Sequence, residues 1–431
     1  MKLGEQQLLF ELDDPAWRVR DAASSTFLKN LDLPVHRWFR YSAGFSAEWA
    51  KSVICESSQN RPTRVLDPFA GSGTTMLASE SSGVEAWGLD AHPFIGRIAR
   101  AKLEWRSDAD AFKARAQTVK EKARTIQGDI RAYPPLIRKC YDDRTLAKLG
   151  ALRMAVDSVS DGTPQSELVW LALVSILRKC SKAGTAQWQY VLPNKQKRSP
   201  SDPDVAFDQA VHVFHNDMRL GRSVNGPRAH FLQADARECP DLPDASFDLV
   251  LTSPPYPNNY DYADATRLEM TFFGEIEGWG DLQMAVRRHL IRSCTQHVPE
   301  KAVDLASVCR DPLLNPIAGE LGAVCQRLAE VRESKGGRKT YHLMVACYFL
   351  DLARVWRELR RVCKSPCRVC FVVGDSAPYG VYVPVIPWLG ALAVAAGFAG
   401  FQFEKTRDRN VKWKNRKHRV PLQEGRLWVE G

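Results

Sequence analysis

Residues 64–69, RVLDPF, form a short apolar run that breaks into the glycine-rich turn AGSGTT and then into a helical pattern, TMLASESSG. This spacing predicts strand, loop and helix in succession. A second apolar run, EAWGLD, follows directly, and strand patterns return at AHFLQAD (229–235), FDLVLT (247–252) and, after the helical YFLDLARVWRELRRV, at CRVCFVVGD (367–375). Strands that alternate with helices predict an α/β fold with a doubly wound, mostly parallel sheet whose ligands bind outside the carboxyl ends of its strands. The pattern changes twice along the way. From about 105 to 225 long charged helical stretches such as DADAFKARAQTVKEKARTIQ close in a polar loop, VLPNKQKRSPSDPD, and residues 275–340 are again mixed and charged. The chain therefore divides into 1–105 with the first half of the sheet, 106–226 as a helical insertion, 227–274 with a proline-rich strand tip, 275–340 as a second insertion, and 341–431 with the end of the sheet and a basic tail.

Composition adds a partner class. Among 431 residues, 60 Lys and Arg against 50 Asp and Glu leave a net charge of +10, and a positive field attracts polyanions, with nucleic acid foremost. Eleven cysteines are scattered without paired spacing, and the opening MKLGEQQLLFELDD lacks the layout of a secretory signal, so a reducing cytoplasm is expected. The most apolar windows, LVWLALVSILRKC and VPVIPWLGALAVAAGFAGF, are short or broken by Pro and Gly. They fall below the length needed to span a bilayer, and no membrane partner is expected.

Two constellations carry chemistry. In the first, Asp67, Phe69, Gly71, Gly73 and Thr74 sit at the end of the first strand and Asp90 at the end of the second. Glycines there let backbone approach a ligand closely, and an acid at the second strand tip can accept hydrogen bonds from both hydroxyls of a ribose. The loop has neither the Lys of a phosphate-binding P-loop nor the third Gly of the dinucleotide fingerprint, which argues against a nucleoside triphosphate and, more weakly, against NAD. In the second, Ser253, Pro254, Pro255 and Tyr256 follow the strand FDLVLT. Paired prolines rigidify the loop and orient the preceding carbonyls, and Tyr256 adds an aromatic face beside the Ser253 hydroxyl; together these can hold a planar base.

With both constellations in place, the chain resembles the amino-group DNA methyltransferases that carry an S-P-P-Y active-site motif. LPVHRWFRYSAGFSAEWAKSVI is similar to that family's N-terminal segment, which closes over the methionine end of the cofactor and here includes Phe45 and Ser46. DPFAGSGTT is similar to its cofactor loop, GLDAHP to its ribose-binding strand end, QAD with Asp235 to its adenine-contacting position, and TSPPYPNNYDYADATRLEMTFFG to its catalytic segment. VVGDSAPYGVYVPV is similar to a later core strand and loop. The resemblance implies a Rossmann-like class I methyltransferase sheet, S-adenosyl-L-methionine as cofactor, and double-stranded DNA as substrate, with a cognate restriction endonuclease as a further expected partner. It places the protein in the cytoplasm of a bacterium or archaeon, on the nucleoid.

The implied chemistry is methylation of the exocyclic N4 amine of a flipped cytosine. Adenine N6 is the runner-up, since a pocket that polarises one exocyclic amine accommodates another; Asp or Asn at position 253 would favour adenine. The acceptors are the Ser253 hydroxyl and the Pro254 carbonyl, and Tyr256 stacks on the extruded base. A silent DNA-binding protein that kept the fold, and an RNA methyltransferase, are the alternatives from other classes. The large insertion between Asp90 and Asp235 departs from the family pattern and leaves open whether 106–226 or 275–340 reads the DNA.

Weaker signals are weighed the same way. The basic stretch from Lys405 to Arg419 and the NKQKR loop offer Lys412, Lys414, Arg416, Lys195 and Lys197 to phosphates, with Trp413 or Trp188 to pack on sugar or base. Cys363, Cys367 and Cys370 lack a well-spaced fourth zinc ligand and are expected in core and turn; no metal is expected. Pro366-Cys367 lies away from the glycine loop, which speaks against nucleophilic attack by a thiolate on a base. His36, Arg37 and Trp38 are expected in a packed turn.

Overall fold

The computed structural model describes residues 27–41, 44–186, 189–197, 199–337, 339–409 and 420–431. Two 3-10 turns, Phe27–Asp32 and His36–Trp38, lead into helix α1 (Ala47–Ser58), strand β1 (Arg64–Asp67), α2 (Thr74–Ser81), β2 (Glu85–Asp90) and α3 (Pro93–Leu103). Next come α4 (Ala109–Thr125), α5 (Pro135–Cys140), α6 (Asp143–Ser158) and α7 (Pro164–Cys180), the short hairpin β3 (Ala183–Thr185) and β4 (Val191–Gln196), and α8 (Pro203–Gly221). The sheet resumes with β5 (His230–Gln233) and β6 (Phe247–Thr252), followed by α9 (Arg267–Phe273), α10 (Leu282–Ala285), α11 (Leu305–Cys309) and α12 (Ala318–Ser334). The long α13 (Tyr341–Val362) feeds β7 (Cys363–Gly374), α14 (Val385–Ala395), β8 (Gly400–Arg409) and β9 (Leu422–Glu430). Side-chain caps start many of these helices, as where Asp108, Thr163 and Asp202 accept from first-turn amides of α4, α7 and α8.

The seven sheet strands run in the order β5-β2-β1-β6-β7-β9-β8. All neighbours pair in parallel except β9, which is antiparallel to β7 and β8. The expected α/β, Rossmann-like sheet is therefore present, mostly parallel and doubly wound. Alternate side chains sort to its two faces. Val65, Leu249, Leu251, Cys370 and Val372 pack with α1 residues Trp49 and Val53, while Leu66, Val250, Val369, Phe371 and Val373 pack beneath α13 and α14. Burial on both faces is why β6 reads FDLVLT, with every position buried.

The helices α4 to α8 interrupt the crossover from β2 to β5, yet β5 still pairs beside β2. They are not a detached lobe, because their core is continuous with α3 and with the 3-10 turn at His36–Trp38. Asp217 on α8 accepts from the Val35 amide at 3.0 Å and from Trp38 Nε1 at 2.8 Å and pairs with Arg37, while Trp38 stacks on Phe214 at 4.2 Å. The packed turn expected at His36, Arg37 and Trp38 is thus held down by the insertion.

Two segments differ from the expectations. The polar stretch 191–196 is not a loop but the strand β4, docked on β3, with Val191 at its buried end. The stretch from Lys405 to Arg409 is not part of a tail but the end of β8, where Arg407 pairs with Glu424 of β9 and Glu404 with Arg426. Cross-strand ion pairs let a charged sequence serve as an edge strand. Among the described residues no helix is long and apolar enough to cross a membrane.

Candidate active site

The strand order reverses between β1 and β6: β1 is followed in sequence by β2 on one side, and β6 lies on the other. Ligands of doubly wound sheets bind outside such a point. Here the turn after β1 places Gly71 at φ +51° and Gly73 at φ +91°, the latter as the left-handed residue that starts α2. At Gly71 a Cβ would come within 2.9 Å of the Tyr41 ring, so only glycine lets that ring lie on the loop. The Gly71 amide donates to Asp90 Oδ2 at 2.8 Å, and the His92 amide to Asp90 Oδ1 at 2.8 Å. Each Asp90 oxygen keeps a lone pair for a further donor such as a ribose hydroxyl.

A cleft opens over this turn, lined by residues that follow β1, β2, β5 and β6, the place where such sheets bind ligands. Of the residues expected around a cofactor, Phe45, Asp67, Phe69, Gly71, Thr74, Asp90 and Asp235 line it, and Ser253 and Pro255 of the second constellation line it as well. Gly73 acts from behind as the start of α2. Ser46 caps α1, accepting from the Trp49 amide at 3.3 Å, and is buried away from the cleft. The lining carries three carboxylates and, among the described residues, no Lys or Arg. Such a wall suits a cationic, hydroxyl-bearing ligand such as a sulfonium nucleoside and disfavours phosphates. Burial pushes the Asp67 and Asp90 carboxyls up to about 6, against the hydrogen bonds from Thr252 and from the Gly71 and His92 amides that hold them down.

The tip of β6 is tied to its neighbours. Thr252 Oγ1 donates to Asp67 Oδ1 at 2.5 Å, which locks the ends of β1 and β6 together. Ser253 Oγ donates its one hydrogen to the Val372 carbonyl of β7 at 3.1 Å, so toward the Tyr256 hydroxyl, its other hydrogen-bond partner, and toward a ligand it serves only as an acceptor. Pro254 is buried, Pro255 faces the cleft, and Tyr256 is half-buried beside it. The Arg409 guanidinium lies 5.3 Å from the Tyr256 ring centre, a cation–π contact. Burial raises the Tyr256 hydroxyl well above its ordinary range, so it stays protonated.

The cleft also uses residues not singled out from the sequence: Tyr41, His92 and Tyr262, which lie inside the resembling segments, and the run His289, Leu290 and Ile291 from the second insertion, which lies in none of them. That run is pinned near Asp235 because Arg237 bonds both Asp235 and the His289 carbonyl, and Arg292 pairs with the buried Asp351. A second junction anchors the segment that follows the tip of β6. Asp261 takes Arg287 at 2.7 Å and His297 Nε2 at 3.3 Å. Asp261, Cys294 and His297 bring their ligand atoms within 4.8 Å of one another. The Arg287 guanidinium already supplies the positive charge there, so the group works as an ion-pair junction.

Lys195 and Lys197 are exposed on and just after β4, outside the cleft. Trp188, Lys412, Trp413, Lys414 and Arg416 lie outside the described residues. Cys363, Cys367 and Cys370 are buried in β7, with Cys363 and Cys367 toward the strand end opposite the cleft.

The sequence is similar to those of known proteins. A family model described as DNA methylase matches residues 14–101. Type II methyltransferase M.AvaI of Nostoc sp. is 25% identical over 405 residues, covering 86% of this chain and 81% of its own. Type II methyltransferase M.BsoBI of Geobacillus stearothermophilus is 25% identical over 411 residues, covering 84% and 78%. Type II methyltransferase M.MvaI of Kocuria varians is 33% identical over 69 residues, 16% of this chain and 15% of its own. No solved structure matches the chain.

Proposed function

The chain belongs to the amino-group DNA methyltransferases, and from that premise we propose that it methylates the exocyclic N4 amine of a cytosine flipped out of duplex DNA. S-adenosylmethionine, the methyl donor of the family, would supply an activated sulfonium methyl. Asp90 would accept its ribose hydroxyls, Asp235 would face its adenine, and Phe45 would cover its methionine end, because these side chains line one cleft with no competing cation.

The observation that carries the reading is the hydrogen bond from Ser253 to Val372. An exocyclic amine is a poor nucleophile because its lone pair is conjugated into the ring. A fixed acceptor that takes an amino hydrogen returns electron density to that nitrogen, and a serine whose own hydrogen is committed elsewhere can act only as an acceptor. The neutral Ser253 needs no protonation change, and the Pro254 carbonyl offers a second acceptor. The N–C bond would form as the methyl–sulfur bond breaks, leaving the cofactor as a neutral thioether, and one amino proton would pass to solvent water. Positioning supplies the remaining rate, because the methyl needs only in-line approach. Tyr256, backed by Arg409, stacks on the extruded base.

A role in a restriction-modification pair follows from the Type II names of the relatives; the paired endonuclease belongs to the same proposal. The test is nucleoside mass spectrometry of mixed-sequence duplex DNA after incubation with the protein and isotopically labelled S-adenosylmethionine. Label in N4-methylcytosine is the expected result. Label in N6-methyladenine would keep the acceptor mechanism and overturn the choice of cytosine drawn from serine at position 253, and no label from a chain that binds the cofactor would overturn DNA as the substrate.

A further inference from the structure

We propose that the β3–β4 hairpin, with the exposed cations of α5 and α7 around its base, is the surface that grips the phosphate backbone of duplex DNA beside the cleft. This rests on the reading of the chain as a DNA methyltransferase, and it assigns backbone contact to the first insertion rather than the second.

The hairpin is rooted in both walls of the cleft mouth. Gln189 Nε2 in its turn donates to the Arg40 carbonyl at 2.5 Å, next to the cleft residue Tyr41. The following residue, Tyr190, accepts from the Asp261 amide through its hydroxyl at 2.7 Å and stacks on Tyr260 at 5.5 Å, next to the cleft residue Tyr262. Arg178 at the end of α7 adds a bond to the Gln189 carbonyl at 2.6 Å. Gln189 and Tyr190 are thus fixed beside the segment that follows Ser253-Pro254-Pro255-Tyr256, and β4 runs outward from there.

Along β4 the side chains change from buried at Val191 to exposed at Lys195 and Lys197. The base of the hairpin docks on α5, where the Lys182 amide meets the Cys140 carbonyl at 2.9 Å, and Lys197 Nζ reaches the Lys179 carbonyl at 3.1 Å. Arg138, Lys139 and Lys179 are exposed around that base. Among the described residues none of these cations is paired with a carboxylate. The nearby acids are committed elsewhere: Asp202 and Asp204 pair with Lys148, and Asp142 caps α6. Unpaired cations on a rigid arm are what a phosphate backbone requires. At about 3.3 Å per strand residue, Lys195 and Lys197 stand roughly 17 to 23 Å along the chain from Tyr190. That reach matches about five to seven base-pair steps at the 3.4 Å spacing of phosphates on one strand.

The test is the salt dependence of binding to a fluorescent duplex. Relative to the unaltered chain, the triple variant Lys179→Gln, Lys195→Gln, Lys197→Gln should weaken binding on all sequences and flatten the slope of log K against log salt by up to about 0.9 per lost phosphate contact. Its KM for DNA should rise, while kcat and S-adenosylmethionine affinity stay unchanged, which also shows that the fold is intact. The pair Lys301→Gln, Lys335→Gln in the second insertion should leave the slope alone. An unaltered slope in the triple variant, or a flattened slope in the pair instead, overturns the assignment. If the triple variant flattens the slope shown by the unaltered chain but neither cytosine nor adenine is methylated, the proposed activity fails and the surface stands.

Discussion

The Ser253 hydroxyl donates to the Val372 carbonyl at 3.1 Å, across the junction of β6 and β7. This bond orients Ser253 before any base arrives. The variant Ser253→Ala removes the acceptor but leaves the cofactor wall intact, so kcat should fall on the order of 10²-fold, the scale of losing one preorganised polar group. Cofactor titration should give an unchanged affinity; a loss of cofactor binding with kcat preserved would show that Ser253 belongs to the other half of the cleft.

Tyr256 presents its ring beside that acceptor with Arg409 behind it. Base stacking is worth about 1 to 3 kcal/mol, so Tyr256→Ala should lower methylation about tenfold to a hundredfold in kcat/KM while sparing cofactor binding. Tyr256→Phe keeps the ring and should retain most of the rate. Equal damage from both variants, measured by single-turnover methylation, would place the function in the hydroxyl instead.

In the proposed function Asp90 accepts ribose hydroxyls as a carboxylate, and burial raises its carboxyl to about 6. Cofactor affinity should therefore fall as pH drops from neutral through about 6, and Asp90→Asn should flatten that profile while weakening affinity at neutral pH. For stability the sign is opposite. The folded chain holds more protons on Asp67 and Asp90 than the unfolded one between about 4 and 6, so these two groups favour folding at the acidic end and lose that contribution as pH rises through about 6. Calorimetric titration across the range checks the binding limb, and a flat profile in the unaltered chain would remove Asp90 from the ribose.

Arg287 and Asp261 are both buried and paired at 2.7 Å. The variant Arg287→Met would strand a buried carboxylate, which costs about 3 to 5 kcal/mol. Denaturant unfolding should show that loss, and activity should fall with it because Asp261 anchors the segment after Tyr256. The double variant Arg287→Met, Asp261→Asn should recover part of the stability; no recovery would mean that the junction acts through packing alone.

What the sequence determined by itself is local. The turn from β1 into α2, the acids at the ends of β2 and β5, and the Ser-Pro-Pro-Tyr tip of β6 each occupy a few contiguous residues, where apolar runs, glycines and prolines constrain the backbone directly. Seven of the nine residues expected around the cofactor line the cleft, and Gly73 and Ser46 instead begin the helices beside it. Tertiary structure decided the rest, because those contacts join residues far apart in the chain. Tyr41 lies on Gly71 in a segment that Asp217, about 180 positions on, ties down through Val35, Arg37 and Trp38. His289, Leu290 and Ile291 reach the cleft through Arg237 and Arg292, and their own stretch has no periodicity to announce them. The polar segment 191–196 and the charged segment 405–409 became strands for the same reason: ladder partners, and for the second segment an ion pair as well, supplied what their own side-chain pattern did not.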